Sequence, residues 1–166
     1  MLKYSKLRKD LDIENMNGNA ENLAFFTHYL HNHTNGVSKS FKKKAVEYYN
    51  QQHNDLSLAS EPELQAMLPI KWDIPFPSPQ NPEFTFIDLF AGIGGFRIPM
   101  QEIGGKCVFS SEFNYHAQRA YELNFGEVPF GDITKLDLNI VPKHNVLCAG
   151  FPCQPFSISG KMKGFE

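Results

Sequence analysis

The sequence predicts an α/β fold with a parallel sheet, preceded by a small helical region. Short β-rich segments alternate with helical segments in the second half of the chain, in the order strand, helix, strand, helix, strand. That order is typical of a parallel sheet. Glycine usage changes at the same place, because the first 80 residues hold only Gly18 and Gly36 of the 12 glycines.

Three strands are predicted at 84–90, 106–112 and 145–151, where apolar and β-branched residues are concentrated. The first intervening helix runs through Ile103 and ends at Gly104 and Gly105, as a glycine C-cap would end it. Pro99 is compatible with this helix only in or near its first turn. The second helix is predicted at 114–125.

The N-terminal half shows helical spacing of apolar residues at 20–31 and 38–50. Ser60 and Glu63 fit a capping box that opens a short helix through Leu68. We therefore predict a helical region at 1–68, a proline-rich linker at 69–83 and a separate α/β part at 84–166. Lysines 42–44 are expected on a solvated helix face, and the histidines of this half are expected at the surface.

Composition is that of an ordinary globular protein, with 42% apolar and 20% charged residues and a net charge of −2. We see neither a membrane helix nor a signal peptide, so we expect a cytoplasmic protein without a membrane partner. The three cysteines form no C-x-x-C pair, which argues against a disulfide framework or a zinc or other metal site.

A glycine-rich turn follows the first predicted strand and carries the pattern Gly92-x-Gly94-Gly95. Such a turn lets a ligand approach the backbone and exposes the amides of the next helix. The pattern departs from the dinucleotide fingerprint, which has a third glycine further on. A tight turn without a ligand is the alternative.

Two acidic residues lie where a nucleotide-like ligand would need them. Glu112 ends the second strand, 24 residues after Asp88, and a carboxylate at such a spacing accepts hydrogen bonds from ribose hydroxyls. Asp132 follows the second helix and could accept from an adenine amino group. Its alternative role is an Asx-turn or a helix cap.

Cys153 follows the third strand, at the sheet edge where open α/β proteins bind ligands. Pro152 and Pro155 flank the Cys-Gln pair and restrict the backbone on both sides of the thiol. Cys148 is expected to be buried within the strand, whereas a thiol positioned in a loop is better explained as a nucleophile.

Taken together, these segments strongly resemble the beginning of the catalytic domain of DNA (cytosine-5) methyltransferases, especially those of bacterial restriction–modification systems. The matching motifs are FIDLFAGIGG, the acidic residue at 112, GDIT and GFPCQPFS, in that order along 84–166. The resemblance implies a Rossmann-like, S-adenosylmethionine-dependent methyltransferase sheet, of which this chain holds an incomplete part. Residues 1–80 lie outside the resemblance.

The same resemblance implies roles for individual residues. Cys153 would be the catalytic nucleophile, and Gln154 and Ser157 would lie close to the DNA backbone around a flipped cytosine. S-adenosylmethionine would be the cofactor and double-stranded DNA the substrate. The implied cofactor-binding residues are Phe90, Ala91, Gly92, Ile93, Gly95, Glu112, Phe113, Asp132, Ile133 and Pro152.

The family also uses a Glu-Asn-Val segment, an arginine-bearing segment, a target-recognition domain and a final helix that completes the cofactor pocket, all of which would follow residue 166. We therefore expect a truncated form or one part of a split enzyme, completed by a second polypeptide and inactive alone. With only three strands we also expect uncovered apolar sheet surface and marginal stability. Two alternatives stay open, namely a non-catalytic DNA- or protein-binding module and a dinucleotide-binding oxidoreductase. The glycine pattern and the Pro-Cys-Gln-Pro segment disfavour the latter.

Overall fold

The structure, a computed structural model, describes residues 1–16, 20–33, 39–53 and 68–150. Its centre is a parallel sheet of strands β1 (Phe84–Leu89), β2 (Gly105–Ser111) and β3 (Val146–Ala149) in the order β2-β1-β3. The predicted α/β class and the three predicted strands are therefore confirmed. A bulge interrupts the β1–β2 register, because Phe86 pairs with Cys107 and Ile87 pairs with Phe109.

Two helices connect the first strands and end where the sequence predicts. Helix α4 (Arg97–Glu102) holds Pro99 in its first turn and is followed by Gly104 at a φ of 90°. Helix α5 (Tyr115–Phe125) begins at Asn114, whose side chain accepts from the amides of two residues in the first turn. It ends at Gly126 in the left-handed conformation, as a glycine C-cap does. Two short 3-10 helices, Ile133–Lys135 and Leu138–Ile140, lead to β3.

The N-terminal region supplies helices α1 (Tyr4–Asp10), α2 (Ala20–Asn32) and α3 (Lys39–His53). The predictions at 20–31 and 38–50 correspond to α2 and α3. Helix α1 was not predicted, because a seven-residue segment rich in charge carries little periodic signal. The helix predicted from the capping box at Ser60 lies almost entirely outside the described residues.

These N-terminal helices share a hydrophobic core with the sheet. The ring of Phe130, which lies beside the end of β2, contacts Phe25 of α2 at 4.9 Å and Phe41 of α3 at 5.9 Å between centroids. Phe130 also stacks on Phe109 of β2 at 4.9 Å. The division of the chain at 69–83 stays a prediction, but the helices on one side of it pack directly on the strands of the other.

The histidines of α2 correct an expectation from the sequence. His28 is fully buried and His31 is nearly so, whereas surface positions were expected. Burial lowers the pKa of both imidazoles, that of His31 to about 3. The exposed lysines of α3 agree better with expectation, since Lys43 and Lys44 lie beside Glu47 and Glu21.

The opposite face of the sheet packs against α4 through Phe86, Cys107 and Cys148, with Met100 at its margin. Cys148 is buried in β3, as predicted. The N-terminal helices therefore cover one sheet face and α4 covers the other. The uncovered apolar sheet surface expected from the sequence is therefore limited to β3 among the described strands, where Leu147 is 55% exposed. Within the described ranges, no helix has the length and apolar character needed to cross a membrane.

Candidate functional site

The candidate site lies at the carboxyl ends of β1 and β2, beginning with the turn after β1. Phe90, Gly92 and Gly94 all have positive φ, which bends the chain sharply away from the strand. A Cβ on Gly94 would lie 2.1 Å from the ring of Phe125, so only glycine fits there. A Cβ on Gly92 or on Gly95 would meet no atom within 4 Å. The backbone of this turn is therefore packed on one side and open to a ligand on the other.

Glu112 joins the turn to the end of β2. Its Oε2 accepts a hydrogen bond from the amide of Gly92 at 2.8 Å, and its Oε1 accepts one from the amide of Asn114 at 2.8 Å. The residue is 8% exposed. Each carboxylate oxygen has a second lone pair, so the group can still accept hydrogen bonds from a ligand diol. The structure thus brings together the two segments that the sequence paired by spacing.

Asp132 lies at the start of the loop beyond Phe130, next to the same edge. The amide of Phe130 donates to the carbonyl of Ser110, and the amide of Glu112 donates to the carbonyl of Phe130. These bonds hold the approach to Asp132 against β2. The Asp132 carboxylate caps the first 3-10 helix by accepting from the amide and hydroxyl of Thr134, which lowers its pKa. The alternative role as a cap is therefore observed, and it leaves the other oxygen, Oδ2, near Lys135.

Apolar side chains are exposed around this edge. Ile93 is 62% exposed and Phe113 is 69% exposed, and both belong to the predicted cofactor-binding set. Phe90 and Ile133 are half-buried, whereas Ala91 is buried. The exposed ring of Phe113 is suited to stacking on a planar ligand.

The structure describes nine of the predicted site residues and brings them to one edge of the sheet. The four others, Pro152, Cys153, Gln154 and Ser157, lie outside the described residues. The chain reaches them from Gly150, where a Cβ would lie 2.9 Å from the ring of Phe96. The nucleophile assignment therefore stays a prediction.

A buried charged network lies beneath the turn and was missed by sequence reasoning. Arg97, in the first turn of α4, donates from Nη1 to Glu127 Oε1 at 2.7 Å and to the Tyr121 hydroxyl at 3.1 Å. Burial alone would raise the pKa of Glu127, but Arg97 lowers it, to about 2. Both charged side chains are fully buried. An isolated Arg and Glu that are 30 residues apart carry no periodic signal, so nothing in the sequence pairs them.

Asp88 belongs to the same network and lies at the beginning of the turn. It is fully buried, and its Oδ2 accepts from the Tyr121 hydroxyl at 3.3 Å. Oδ1 has no hydrogen-bond partner among the described residues. Burial raises the pKa of this carboxyl to about 7, although Arg97 opposes the shift. The acid is thus poised between its neutral and charged forms near neutral pH.

The comparison with known proteins decides the family. A family model for C-5 cytosine-specific DNA methylases matches residues 84–166, which is half of the chain. The chain belongs to this family. The matched range includes both predicted strand-to-helix turns and the loop of Cys153.

Several curated methylases are similar to the chain. It is 54% identical to the Type II methyltransferase M.HpaII of Haemophilus parainfluenzae over 118 residues, which are 68% of this chain and 31% of that protein. It is 48% identical to M.MspI of Moraxella sp over 130 residues, or 78% and 30% of the two chains. Identity to M.HhaI of Haemophilus parahaemolyticus is 60% over 81 residues, or 49% and 25%.

The chain thus spans between a quarter and a third of the length of these relatives. The match to M.MspI is longer than the 83 residues of the family domain, so it includes part of the N-terminal region. Similarity therefore extends beyond the methylase motifs into the residues that form the helical half.

Proposed function

We propose that this chain is the N-terminal part of a DNA (cytosine-5) methyltransferase of a restriction–modification system, and that its glycine-rich turn and Glu112 hold S-adenosylmethionine. The observation that carries the proposal is the bridge from the Glu112 carboxylate to the Gly92 amide. This hydrogen bond places a carboxylate, which can accept from a ribose diol, beside a backbone turn that has space for a ligand on its outer side. Family membership and the three Type II relatives support the same reading.

The residues present suit this cofactor. The oxygens of Glu112 would accept from the ribose diol, and the exposed ring of Phe113 would stack on adenine.

Phe90 would face the adenine from the turn, with Ala91 beside it, while Gly92, Ile93 and Gly95 would line the methionine and ribose side. Asp132 and Ile133 would contact the adenine edge, and Pro152 would border both the cofactor and the base. When bound, the cofactor would supply an electrophilic methyl group, and breaking the bond between that methyl group and the sulfonium would leave the neutral thioether S-adenosylhomocysteine.

Cys153 would activate the cytosine. Its thiolate adds to C6, which forms a C–S bond and makes C5 electron-rich enough to take up a methyl group. Loss of the C5 proton to a base then expels the thiolate and restores the aromatic ring. Sulfur suits both steps, because a thiolate is a strong nucleophile and also leaves readily near neutral pH. The base must first be flipped out of the duplex, which requires roughly a few kcal/mol.

Gln154 and Ser157 would contact the DNA backbone around the flipped nucleotide. The missing parts would come from chain beyond residue 166 or from a second polypeptide. They are the glutamate that assists attack, the arginine-bearing segment, the target reader and the helix that completes the cofactor pocket. The relatives are three to four times as long as the part that matches, which leaves room for these segments. We accordingly propose that residues 1–166 alone do not turn over.

Trapping with 5-fluorocytosine tests the proposal, because fluorine at C5 blocks the final elimination. The chain is mixed with S-adenosylmethionine and a random-sequence duplex pool containing 5-fluorocytosine, with and without a polypeptide that carries the downstream segments of a relative. We expect a covalent adduct only in the complemented mixture. It should disappear in Cys153→Ser and persist in the matched control Cys148→Ser.

Two results would contradict the assignment of Cys153. One is an adduct that survives Cys153→Ser. The other is the absence of any adduct in the complemented mixture, when the relative's own full-length enzyme forms one under the same conditions.

A further inference from the structure

Helix α2 reaches the sheet through polar side chains as well as apolar ones. The Thr27 hydroxyl accepts from the amide of Val128 at 3.0 Å, and Nε2 of His28 accepts from the amide of Ser110 at 3.1 Å. Both side chains are fully buried. Two buried backbone donors, one on β2 and one on the segment beside it, are therefore satisfied by a helix of the N-terminal half.

The acceptor role fixes the protonation of His28. Its Nδ1 is 2.8 Å from the Ala24 carbonyl, which can only accept, so the ring proton is on Nδ1. Nε2 then offers its lone pair to the Ser110 amide. Nε2 also lies 3.5 Å from Oε1 of Glu127, but a neutral ring with its lone pair already engaged forms no ion pair there. Burial, which lowers the pKa of His28, agrees with this neutral form.

His31 adds a third contact one turn further along α2. Its Nε2 is 3.1 Å from the Gly126 carbonyl, and its ring stacks on Trp72 at 3.8 Å between centroids. The main-chain carbonyl of His31 in turn accepts from Lys106 Nζ at 2.7 Å. Helix α2 thus forms hydrogen bonds with the backbone at 126 and 128 and with residues near both ends of β2.

The segment held in this way leads directly into the candidate cofactor site. The amide of Ser110 donates to His28, and the carbonyl of Ser110 accepts a hydrogen bond from the amide of Phe130. Phe130 then accepts from the amide of Glu112 at 2.8 Å, and Asp132 follows two residues later. The ring of His28 itself lies 4.7 Å from that of Phe130. Glu112 follows Ser110 by two residues, and Asp132 follows Phe130 by two. The backbone that α2 contacts is therefore close along the chain to both acidic residues of the proposed site.

We propose that α2 is a positioning element for the adenosine side of the cofactor site, with Thr27 and His28 setting the backbone that carries Glu112 and Asp132. This inference rests on the proposed function, because it assigns a role to the N-terminal region in the same site. His28 is a positioning residue, since it touches neither Glu112 nor Asp132 directly. The chain thereby couples a region outside the methylase motifs to the binding of the cofactor.

The test compares three variants in the full chain. His28→Leu removes the acceptor and keeps the volume, whereas His28→Gln restores an acceptor oxygen at a similar reach. Phe26→Leu is the matched control, because Phe26 is equally buried on the same helix but packs on Tyr48 and Tyr49 of α3. Each variant is studied at a temperature where it is folded.

Amide hydrogen exchange in the ligand-free chain is the first readout. In His28→Leu we expect exchange at Ser110, and at Phe130, whose amide donates to the Ser110 carbonyl, to rise roughly tenfold more than at the amides of β1, as expected for the loss of one buried hydrogen bond. A general loss of stability would raise both groups alike, as we expect for Phe26→Leu. Equal rises in the two groups in His28→Leu would overturn the inference.

Affinity for S-adenosylhomocysteine, measured in the presence of a polypeptide that carries the downstream segments of a relative, is the second readout. We expect a dissociation constant roughly tenfold weaker in His28→Leu, restored to within about twofold by His28→Gln and unchanged in Phe26→Leu. Binding that His28→Leu leaves unaltered would overturn this inference alone. Failure of the unaltered chain to bind S-adenosylhomocysteine would overturn the cofactor assignment and this inference with it.

Discussion

Asp88 is a buried acid at the start of the glycine-rich turn. Its carboxyl is fully buried at the point where β1 enters the glycine-rich turn, with one oxygen unpartnered among the described residues. Burial raises its pKa to about 7. The turn is therefore built over an acid that the fold holds largely neutral below that pH.

The pH dependence of stability follows from this shift. Between about pH 4 and pH 7 the folded state keeps the Asp88 proton that the unfolded chain releases, so its stabilising contribution is complete below pH 4 and is lost as the pH rises through about 7. Asp88→Asn imitates the neutral form at every pH. We expect the free energy of unfolding of Asp88→Asn, relative to that of the unaltered chain, to increase by up to roughly 4 kcal/mol from pH 4 to pH 8.

Urea unfolding at a series of pH values measures this difference. The buried histidines oppose Asp88, since their lowered pKa values make stability rise with pH toward neutrality. Because both proteins contain the same histidines, the difference between the two curves removes that contribution. Parallel curves across the range would show that Asp88 does not keep its proton.

Residue-scale prediction from the sequence succeeded where a motif fixes the chemistry and failed for buried polar groups. The turn from Phe90 to Gly95 and Glu112 lie at one edge, as the motif spacing indicated. Asp88, Arg97 and Glu127 were missed as a network, because their pairing depends on three-dimensional packing. His28 was expected at the surface, since a lone histidine in a helix gives no sign of which backbone amide it will face.

At the scale of elements, an ion pair links helix α4 to the segment that follows α5. Arg97 and Glu127 are both fully buried, and Arg97 also lies 4.6 Å from the Phe125 ring centroid. The pair therefore fixes the helix that starts at the glycine-rich turn against the segment that leads to Asp132.

Breaking this pair from one side should be more harmful than removing it entirely. We expect Arg97→Met or Glu127→Gln alone to lower stability by about 3–5 kcal/mol, because each leaves a buried polar partner uncompensated. The double variant should lose clearly less stability than the sum of the losses in the two single variants. Unfolding midpoints of the four proteins complete a double-mutant cycle, and simple additivity would contradict the direct coupling of the two side chains.

The bounds of the helices between the strands were predicted accurately, because residue types that end a helix lie beside the helical segments. Gly104 and Gly105 indicated the end of α4, and the predicted range 114–125 differs from the bounds of α5 by one residue. Helix α1 was missed because it depends on tertiary contacts, including the hydrogen bond from the Tyr4 hydroxyl to Glu122 at 2.8 Å. Its last turns are held by Arg8, which also pairs with Glu122.

At the scale of the whole molecule, the N-terminal helices complete the core of the sheet. Composition separates the two halves of the chain, and the sequence alone suggested an appendage joined by a linker. In the structure, Phe25 and Phe41 lie against Phe130, and Trp72 of the proline-rich segment stacks on His31. Composition could not reveal this, because which face a helix buries against a distant strand is a property of the folded chain.

Removing residues 1–53 should consequently abolish cooperative folding. Ile87, Phe109 and Phe130 would lose their covering helices, and each large apolar side chain contributes roughly 1.5–3 kcal/mol when buried. We expect the remaining chain to lack near-ultraviolet circular dichroism and dispersed amide resonances, with the full chain prepared identically as the control. Cooperative unfolding of the shortened chain would show that the methylase part folds independently.

The most direct test of the proposed cofactor site is an NMR titration of the full, isotopically labelled chain with S-adenosylhomocysteine, in the presence of an unlabelled polypeptide that carries the downstream segments of a relative. We predict saturable shifts at the amides of Gly92, Phe113 and Asp132, with binding at least roughly tenfold weaker in Glu112→Gln because that side chain loses its charged acceptor. A titration without saturable shifts at these amides, or one that Glu112→Gln leaves unchanged, would contradict the cofactor site.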